Sequence, residues 1–232
     1  MTPSSPASAP SSIAERAAEV RARIDAACRS AGRDPADVVL TAVSKTQPPQ
    51  AIDAILATGQ RVFGENRVQE AQGRWADRIA GLSALELRLI GPLQTNKAEE
   101  AVALFDVIET LDREKLARAL AEAAQKRGRS PRVLVQVNTG AEPQKAGVSP
   151  DATDALIASA RDVYGLTVEG LMCIPPADQD AEPHFEMLRA LAERNGLSVL
   201  SMGMSGDYEA AIGCGATHVR VGTALFGERN RP

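Results

Sequence analysis

Eight short apolar runs alternate with amphipathic segments along almost the whole chain, and this alternation constrains the fold more than any other feature. The runs lie near Val38 to Lys45, Arg61 to Asn66, Leu87 to Gly91, Val107 to Leu111, Val133 to Asn138, Thr167 to Ile174, Ser198 to Met204 and His218 to Thr223. Between them fall helical stretches such as Gln50 to Ala57, Val68 to Ile79, Lys97 to Leu104, Arg113 to Lys126, Asp151 to Val163, Pro183 to Asn195 and Tyr208 to Cys214. Strands covered on both faces read as continuous apolar runs, so the pattern predicts a parallel sheet of the α/β class. Eight such units in 232 residues predict closure into a single (β/α)8 TIM barrel. An open doubly wound sheet is the alternative, but the G-x-G-x-x-G turn usual after its first strand is missing.

Ser12 is expected to cap a first helix, because Ile13, Ala17, Val20, Ile24, Ala27 and Cys28 recur on one face and Gly32-Arg33-Asp34-Pro35 stops the run. Only nine residues, Ala224 to Pro232, follow the last strand, so this N-terminal helix is expected to complete the outer ring. Residues 1–11, rich in Ser, Pro and Ala, read as a disordered tail, with neither the basic start nor the apolar stretch of a signal peptide. Residues 12–232 read as one domain.

With 44% hydrophobic residues the chain can fill one core. A net charge of -4 and the lack of a basic run leave no electrostatic footprint for nucleic acid or a membrane surface. No segment is apolar for long enough to span a bilayer. Cys28, Cys173 and Cys214 are far apart without a C-x-x-C pair, and His184 and His218 lack metal-ligand spacing. A cytoplasmic monomer with a small-molecule partner and no metal is the expectation.

In such a barrel the active site forms where strands end, and here those ends are polar. They read Ser44-Lys45, Gly64-Glu65-Asn66-Arg67, Gly91-Pro92-Leu93-Gln94-Thr95-Asn96-Lys97, Glu109-Thr110, Asn138-Thr139-Gly140, Ile174-Pro175-Pro176, Met204-Ser205-Gly206-Asp207 and Gly222-Thr223. For Thr95, Asp112 and Asp207 a helix cap is the expected role. Lys45 alone reads as a lysine leaving a strand for solvent, or as a desolvated amine that attacks an aldehyde. Ser205-Gly206 and Gly222-Thr223 fall after strands seven and eight, where this fold often holds phosphate. Either pair alone is an ordinary βα turn; both together favour a phosphate cradle of glycine backbone and hydroxyl donors. Arg220 shares a strand face with Gly222, so it points into the barrel, either as a member of a buried ion pair or toward the nitrogen of a pyridine ring. An aldehyde that bears both phosphate and a pyridine ring is pyridoxal 5'-phosphate.

The same residues resemble the pyridoxal phosphate homeostasis proteins, a single-barrel family related to the N-terminal domain of alanine racemase. The match runs through Ala42-Val43-Ser44-Lys45, Phe63-Gly64-Glu65-Asn66-Arg67-Val68-Gln69-Glu70 and Leu89-Ile90-Gly91-Pro92-Leu93-Gln94-Thr95-Asn96-Lys97. It continues through Val137-Asn138-Thr139, Gln144-Lys145-Ala146-Gly147, Gly170-Leu171-Met172-Cys173-Ile174-Pro175-Pro176, Leu200-Ser201-Met202-Gly203-Met204-Ser205 and Val219-Arg220-Val221-Gly222-Thr223-Ala224-Leu225-Phe226-Gly227. The resemblance implies that Lys45 carries the cofactor as a Schiff base, Asn66 lies beside the ring, Arg220 meets the pyridine nitrogen, and Ser205, Gly206, Gly222 and Thr223 hold the phosphate. Arg88 departs from the family, which commonly has histidine there. His218 is read as a strand-start or deep barrel residue.

An arginine at the pyridine nitrogen disfavours its protonation and weakens the ring as an electron sink. The related racemases add a catalytic tyrosine from a second domain. Here Tyr164 and Tyr208 are the only tyrosines. Tyr208, just after the phosphate turn, is the one candidate acid or base near the pocket, with packing the favoured role. The resemblance therefore implies a non-enzymatic protein of vitamin B6 homeostasis that exchanges its cofactor reversibly and hands it to apo-enzymes. A racemase-like enzyme acting through Lys45 is the alternative, and a cofactor-free Schiff-base aldolase a third reading. Lys97 and Lys145 fit either a second cofactor or recipient contact, or ordinary solvated lysines.

Overall fold

The structure, a computed structural model, describes residues 12–227, so the tail expected over residues 1–11 lies outside it. All eight expected strands form: β1 (Val39–Val43), β2 (Val62–Glu65), β3 (Glu86–Leu89), β4 (Val107–Leu111), β5 (Arg132–Val137), β6 (Val168–Cys173), β7 (Val199–Ser201) and β8 (His218–Val221). Each pairs in parallel with the next, and β8 returns to β1 in the register Val39↔His218 and Thr41↔Arg220, closing a barrel. The helices are α1 (Ile13–Ser30), α2 (Pro49–Ala57), α3 (Val68–Ile79), α4 (Ala98–Leu104), α5 (Glu114–Arg127), α6 (Thr153–Ala158), α7 (Glu182–Arg194), α8 (Tyr208–Gly213) and the single turn α9 (Thr223–Phe226). No described helix is long and apolar enough to cross a membrane.

Strand alternation sorts the barrel into two cores. Residues such as Phe63, Leu87, Leu89, Val133, Val219 and Val221 face outward and bury themselves under the helices. Phe63 meets Trp75 of α3 with ring centroids 4.6 Å apart. A much smaller cluster of Val107, Leu134 and Met172, with Val199 against it, fills a portion of the interior. Much of the rest of the interior is polar, with Thr41, Arg88, Glu109, Ser201 and Arg220 all buried.

Ser12 caps α1 as expected: its hydroxyl accepts from Glu15 N at 3.2 Å, and the Glu15 carboxylate accepts from Ser12 N at 2.7 Å, a reciprocal capping box. Cys28 is a core residue of this helix. The helix packs against α2, α8 and α9, which is where an eighth outer helix would lie. Arg16 Nε adds a hydrogen bond to the Leu225 carbonyl at 2.8 Å, tying α1 to α9.

Three expected caps do not form. Asp207 stands at the start of α8, but its carboxylate accepts from Met204 N at 2.6 Å and so ties the preceding turn. Thr95 opens a short 3-10 turn with Gln94 at the cap position, and Asp112 pairs with Arg113, itself the residue before α5. The continuous helix expected over 151–163 also breaks, into a 3-10 turn (Pro150–Ala152), α6 and one π turn (Ser159–Val163).

Gly170 marks the tightest packing between β6 and β7. A Cβ there would lie 2.0 Å from the Val199 carbonyl oxygen, beside a register shift in the β5–β6 ladder. Gly170→Ala must push these neighbouring backbones away from each other, so it should lower unfolding stability by about 3 kcal/mol. A urea midpoint equal to that of the unsubstituted protein would contradict this account.

Candidate functional site

At the C-terminal end of the barrel a cavity of about 300 Å³ opens between the two strands that close it. It is lined by Val43, Lys45 and Gln47 after β1, by Met204, Ser205 and Gly206 after β7, and by Arg220, Gly222, Thr223 and Gly227 from β8 onward. Six of the seven residues expected at the site therefore share one cavity. The seventh, Asn66, lines a neighbouring cavity of about 550 Å³ with Arg67, Gln94 and Lys97, over the turns after β2 and β3.

Lys45 stands two residues beyond the end of β1, half-buried, on a turn anchored from behind. Ser44 Oγ donates to Glu65 Oε1 at 2.6 Å. The same oxygen accepts from Trp75 Nε1 at 2.9 Å, and Glu65 Oε2 accepts from Arg74 Nη1 at 2.9 Å. Arg74 Nε also reaches the Gln47 carbonyl at 3.4 Å, so α3 clamps both sides of Lys45. Glu65 is fully buried under α3. The sequence places Glu65 among the polar strand ends of a binding site; alternation turns it outward instead, into a structural role. Thr46 holds a left-handed φ of 63°, costly for a β-branched residue, and donates its hydroxyl to the Lys45 carbonyl at 2.6 Å.

Arg220 enters the cavity from inside the barrel. Its Nη1 donates to Ser201 Oγ at 2.7 Å and its Nη2 to the Cys173 carbonyl at 2.8 Å. Ser201 Oγ in turn donates to Glu109 Oε2 at 2.5 Å, while Arg88 Nε donates to Glu109 Oε1 at 2.5 Å. Arg88 Nη1 continues to Glu86 at 2.5 Å, and Arg132 meets the other Glu86 oxygen at 2.6 Å. A chain of alternating charges thus runs down the barrel from the cavity floor. Burial alone would raise the Glu109 carboxyl; Arg88 first, then Arg220 and the Ser201 hydroxyl, hold it below the usual carboxylate range. Burial opposes charge on Arg88 as well, but Glu109 and Glu86 outweigh it and leave its pKa raised. Burial pushes the Cys173 thiol up to about 12, so only its carbonyl takes part.

The turns after β7 and β8 lean on each other. Gly222 N donates to Ser205 Oγ at 3.3 Å, and Arg220 N to the Gly203 carbonyl at 3.0 Å. Gly203 needs its positive φ of 90° and has no room for a Cβ, which would lie 2.6 Å from Ala211 Cβ. At Gly206 a Cβ would meet no atom within 4 Å, so the backbone there borders open space. The lining carries two cations, Lys45 and Arg220, and no carboxylate among the described residues.

Other candidates fall away from this cavity. Tyr208 is 1% exposed and packs under α1, with the Arg23 guanidinium 5.5 Å from its ring centroid. Tyr164 donates to Glu114 at 3.0 Å. Lys97 pairs with Glu100 at 2.9 Å and Lys145 with Glu142 at 2.6 Å. Thr110 Oγ1 bonds the Gly91 carbonyl at 3.0 Å, and the Asn138 amide bonds the Glu142 backbone. No group of three metal-binding side chains occurs among the described residues. The sequence sets Glu109 among the polar strand ends and Ser201 within a matched motif without giving either a role, although one carboxylate inside the apolar run Val107 to Leu111 signals a buried cation partner.

Residues 17–230 match the model of the alanine racemase N-terminal domain family. The chain is 46% identical to the pyridoxal phosphate homeostasis protein of Pseudomonas aeruginosa over 226 residues, covering 95% of this chain and 97% of that protein. It is 38% identical over 231 residues to the protein of the same name from Escherichia coli K12, covering 94% and 97%. Among solved structures, PipY of Synechococcus elongatus, with PLP bound, superimposes with a TM-score of 0.79 at 37% identity, covering 93% of this chain and 100% of that one.

Two outcomes test the buried polar groups. Glu65→Ala leaves Arg74 without its carboxylate and Trp75 and Ser44 without an acceptor, so it should lower unfolding stability by about 3–5 kcal/mol in chemical denaturation. Burial, then Arg88, lowers His218 to about 4. Its imidazole is neutral in the native barrel, so its contribution to stability is complete above about pH 6.5 and is lost as pH falls toward 4, by ~3 kcal/mol. His218→Asn should flatten that acid limb in denaturation at pH 7 and pH 4.5; an unchanged slope would refute the assignment.

Proposed function

The chain belongs to the alanine racemase N-terminal domain family and to the pyridoxal phosphate homeostasis proteins, and from that premise we propose that it holds pyridoxal 5'-phosphate and takes part in vitamin B6 balance in the cytoplasm. The observation that carries this reading is the gathering of Lys45, Arg220 and the Ser205-Gly206 and Gly222-Thr223 turns around one cavity. A site of about 300 Å³ lined by two cations, with no carboxylate among the described lining residues, suits a compact polyanion. The residues fit the group in kind: an amine for its aldehyde, a guanidinium for its ring nitrogen, and hydroxyls with glycine backbone for its phosphate.

When bound, the cofactor would supply an aldehyde, and Lys45 is the lysine of the cavity that would hold it. Ser205 and Thr223 would hold the phosphate through their hydroxyls, and Gly206 and Gly222 would let the backbone come close. Arg220 would face the ring nitrogen, where a guanidinium disfavours a proton. Asn66, on the turn after β2, lines the neighbouring cavity and not this one. Among the described residues that line the cavity, none is a histidine, tyrosine, cysteine or carboxylate. That lining favours storage and transfer of the cofactor to apo-enzymes over turnover of an amino acid.

Borohydride reduction followed by peptide mass spectrometry should place the pyridoxyl group on Lys45, and Lys45→Ala should be colourless. Label on Lys97 or Lys145 instead would overturn the site, and saturable exchange of an amino-acid α-proton would overturn the non-enzymatic role.

A further inference from the structure

Arg220 is 3% exposed, yet it forms the floor of a cavity whose other cation is Lys45. A buried guanidinium needs both a counter-charge and a defined orientation. Glu109, reaching across from β4, supplies the charge, but it does not touch Arg220. Ser201 on β7 stands between them. The direction of each hydrogen bond follows from chemistry, because a guanidinium only donates and an ionised carboxylate only accepts. Ser201 Oγ must accept from Arg220 and send its own hydrogen to Glu109, as the 2.7 Å and 2.5 Å contacts require. Arg88 fixes the far oxygen of the same carboxylate, and the Cys173 carbonyl takes the second Arg220 amine. The guanidinium is therefore held at two points by groups that neither titrate near neutrality nor move with the cavity's loops.

We propose that Ser201 and Glu109 form a positioning relay that sets the orientation of Arg220 toward the ring nitrogen of the bound cofactor, with Arg88 securing Glu109. This rests on the pyridoxal phosphate reading of the cavity. A direct Arg220–Glu109 pair would draw the guanidinium down the barrel axis; the interposed hydroxyl holds it at the cavity floor while still passing on the carboxylate's charge. The relay acts on one end of the ligand only. The phosphate turns are built from Ser205, Gly206, Gly222 and Thr223, none of which contacts Ser201 Oγ or Glu109 through the hydrogen bonds described.

The test compares two probes: pyridoxal 5'-phosphate, and its analogue in which a ring C–H replaces the pyridine nitrogen. Ser201→Ala should lower affinity for pyridoxal phosphate about tenfold and shift the absorbance maximum of the bound form, while affinity for the carbon analogue stays within about twofold. Ser201→Thr, which keeps the hydroxyl, should restore the first affinity. If Ser201→Ala does not fold, Glu109→Gln carries the same comparison, because it keeps the shape and removes the charge. Parallel losses for both probes would mean general loosening of the barrel and would overturn the relay, as would two unchanged affinities. Failure of the unsubstituted protein to bind pyridoxal phosphate at all would instead overturn the reading beneath it.

Discussion

A carboxylate with no exposed surface sits between two guanidinium groups at the centre of this barrel, and the site above it depends on that arrangement. Glu109, on β4, joins neighbouring β3 to β7 and, through Ser201, to β8 on the other side of the barrel. Removing its charge would leave Arg88 and Arg220 facing each other in a low-dielectric interior, where like charges repel strongly. An apolar interior of the kind formed by Val107, Leu134 and Met172 would be simpler to fold. The polar chain gives what an apolar filling does not: a cation fixed at the floor of a cavity, aimed by hydrogen bonds from a rigid wall.

The two buried glutamates divide the work between the faces of the sheet. Glu109 points inward and serves Arg220; Glu65 points outward and, with Trp75 and Arg74, serves the turn that bears Lys45. Lys45 thus stands on loop backbone and Arg220 on a strand, and each is held by strand or helix behind it. Such support is what holds a site to the sub-ångström tolerance that binding at several points demands.

Much of this was legible in the chain before any coordinates. The eight strands appear where apolar runs predict them, because a parallel sheet covered on both sides leaves a continuous signal, and α3 begins and ends at the expected Val68 and Ile79. Six of seven site residues meet because strand order and alternation alone bring Lys45, Arg220 and the two glycine turns to one seam. The failures have physical causes as well. Asp207 carries the composition of a cap, yet a nearer donor, Met204 N, claims its carboxylate. Glu65 and Asn66 are neighbours in sequence, but alternation and the turn after β2 send one under α3 and the other to a separate cavity. Ser201 and Glu109 are 92 residues apart, and no local pattern announces a hydrogen bond across a barrel.

The cavity straddles the seam between the first strand and the last. Lys45 leaves the ribosome well before Gly222 and Thr223, and the Arg16 bond to Leu225 joins the same two parts of the described chain. Half of the site therefore waits, in a growing polypeptide, for a partner that does not yet exist. The cavity is complete only once translation has passed residue 223 and β8 has found β1. A nascent or truncated barrel keeps Lys45 but lacks the turns after β7 and β8, so on the proposed reading cofactor loading follows completion of the fold.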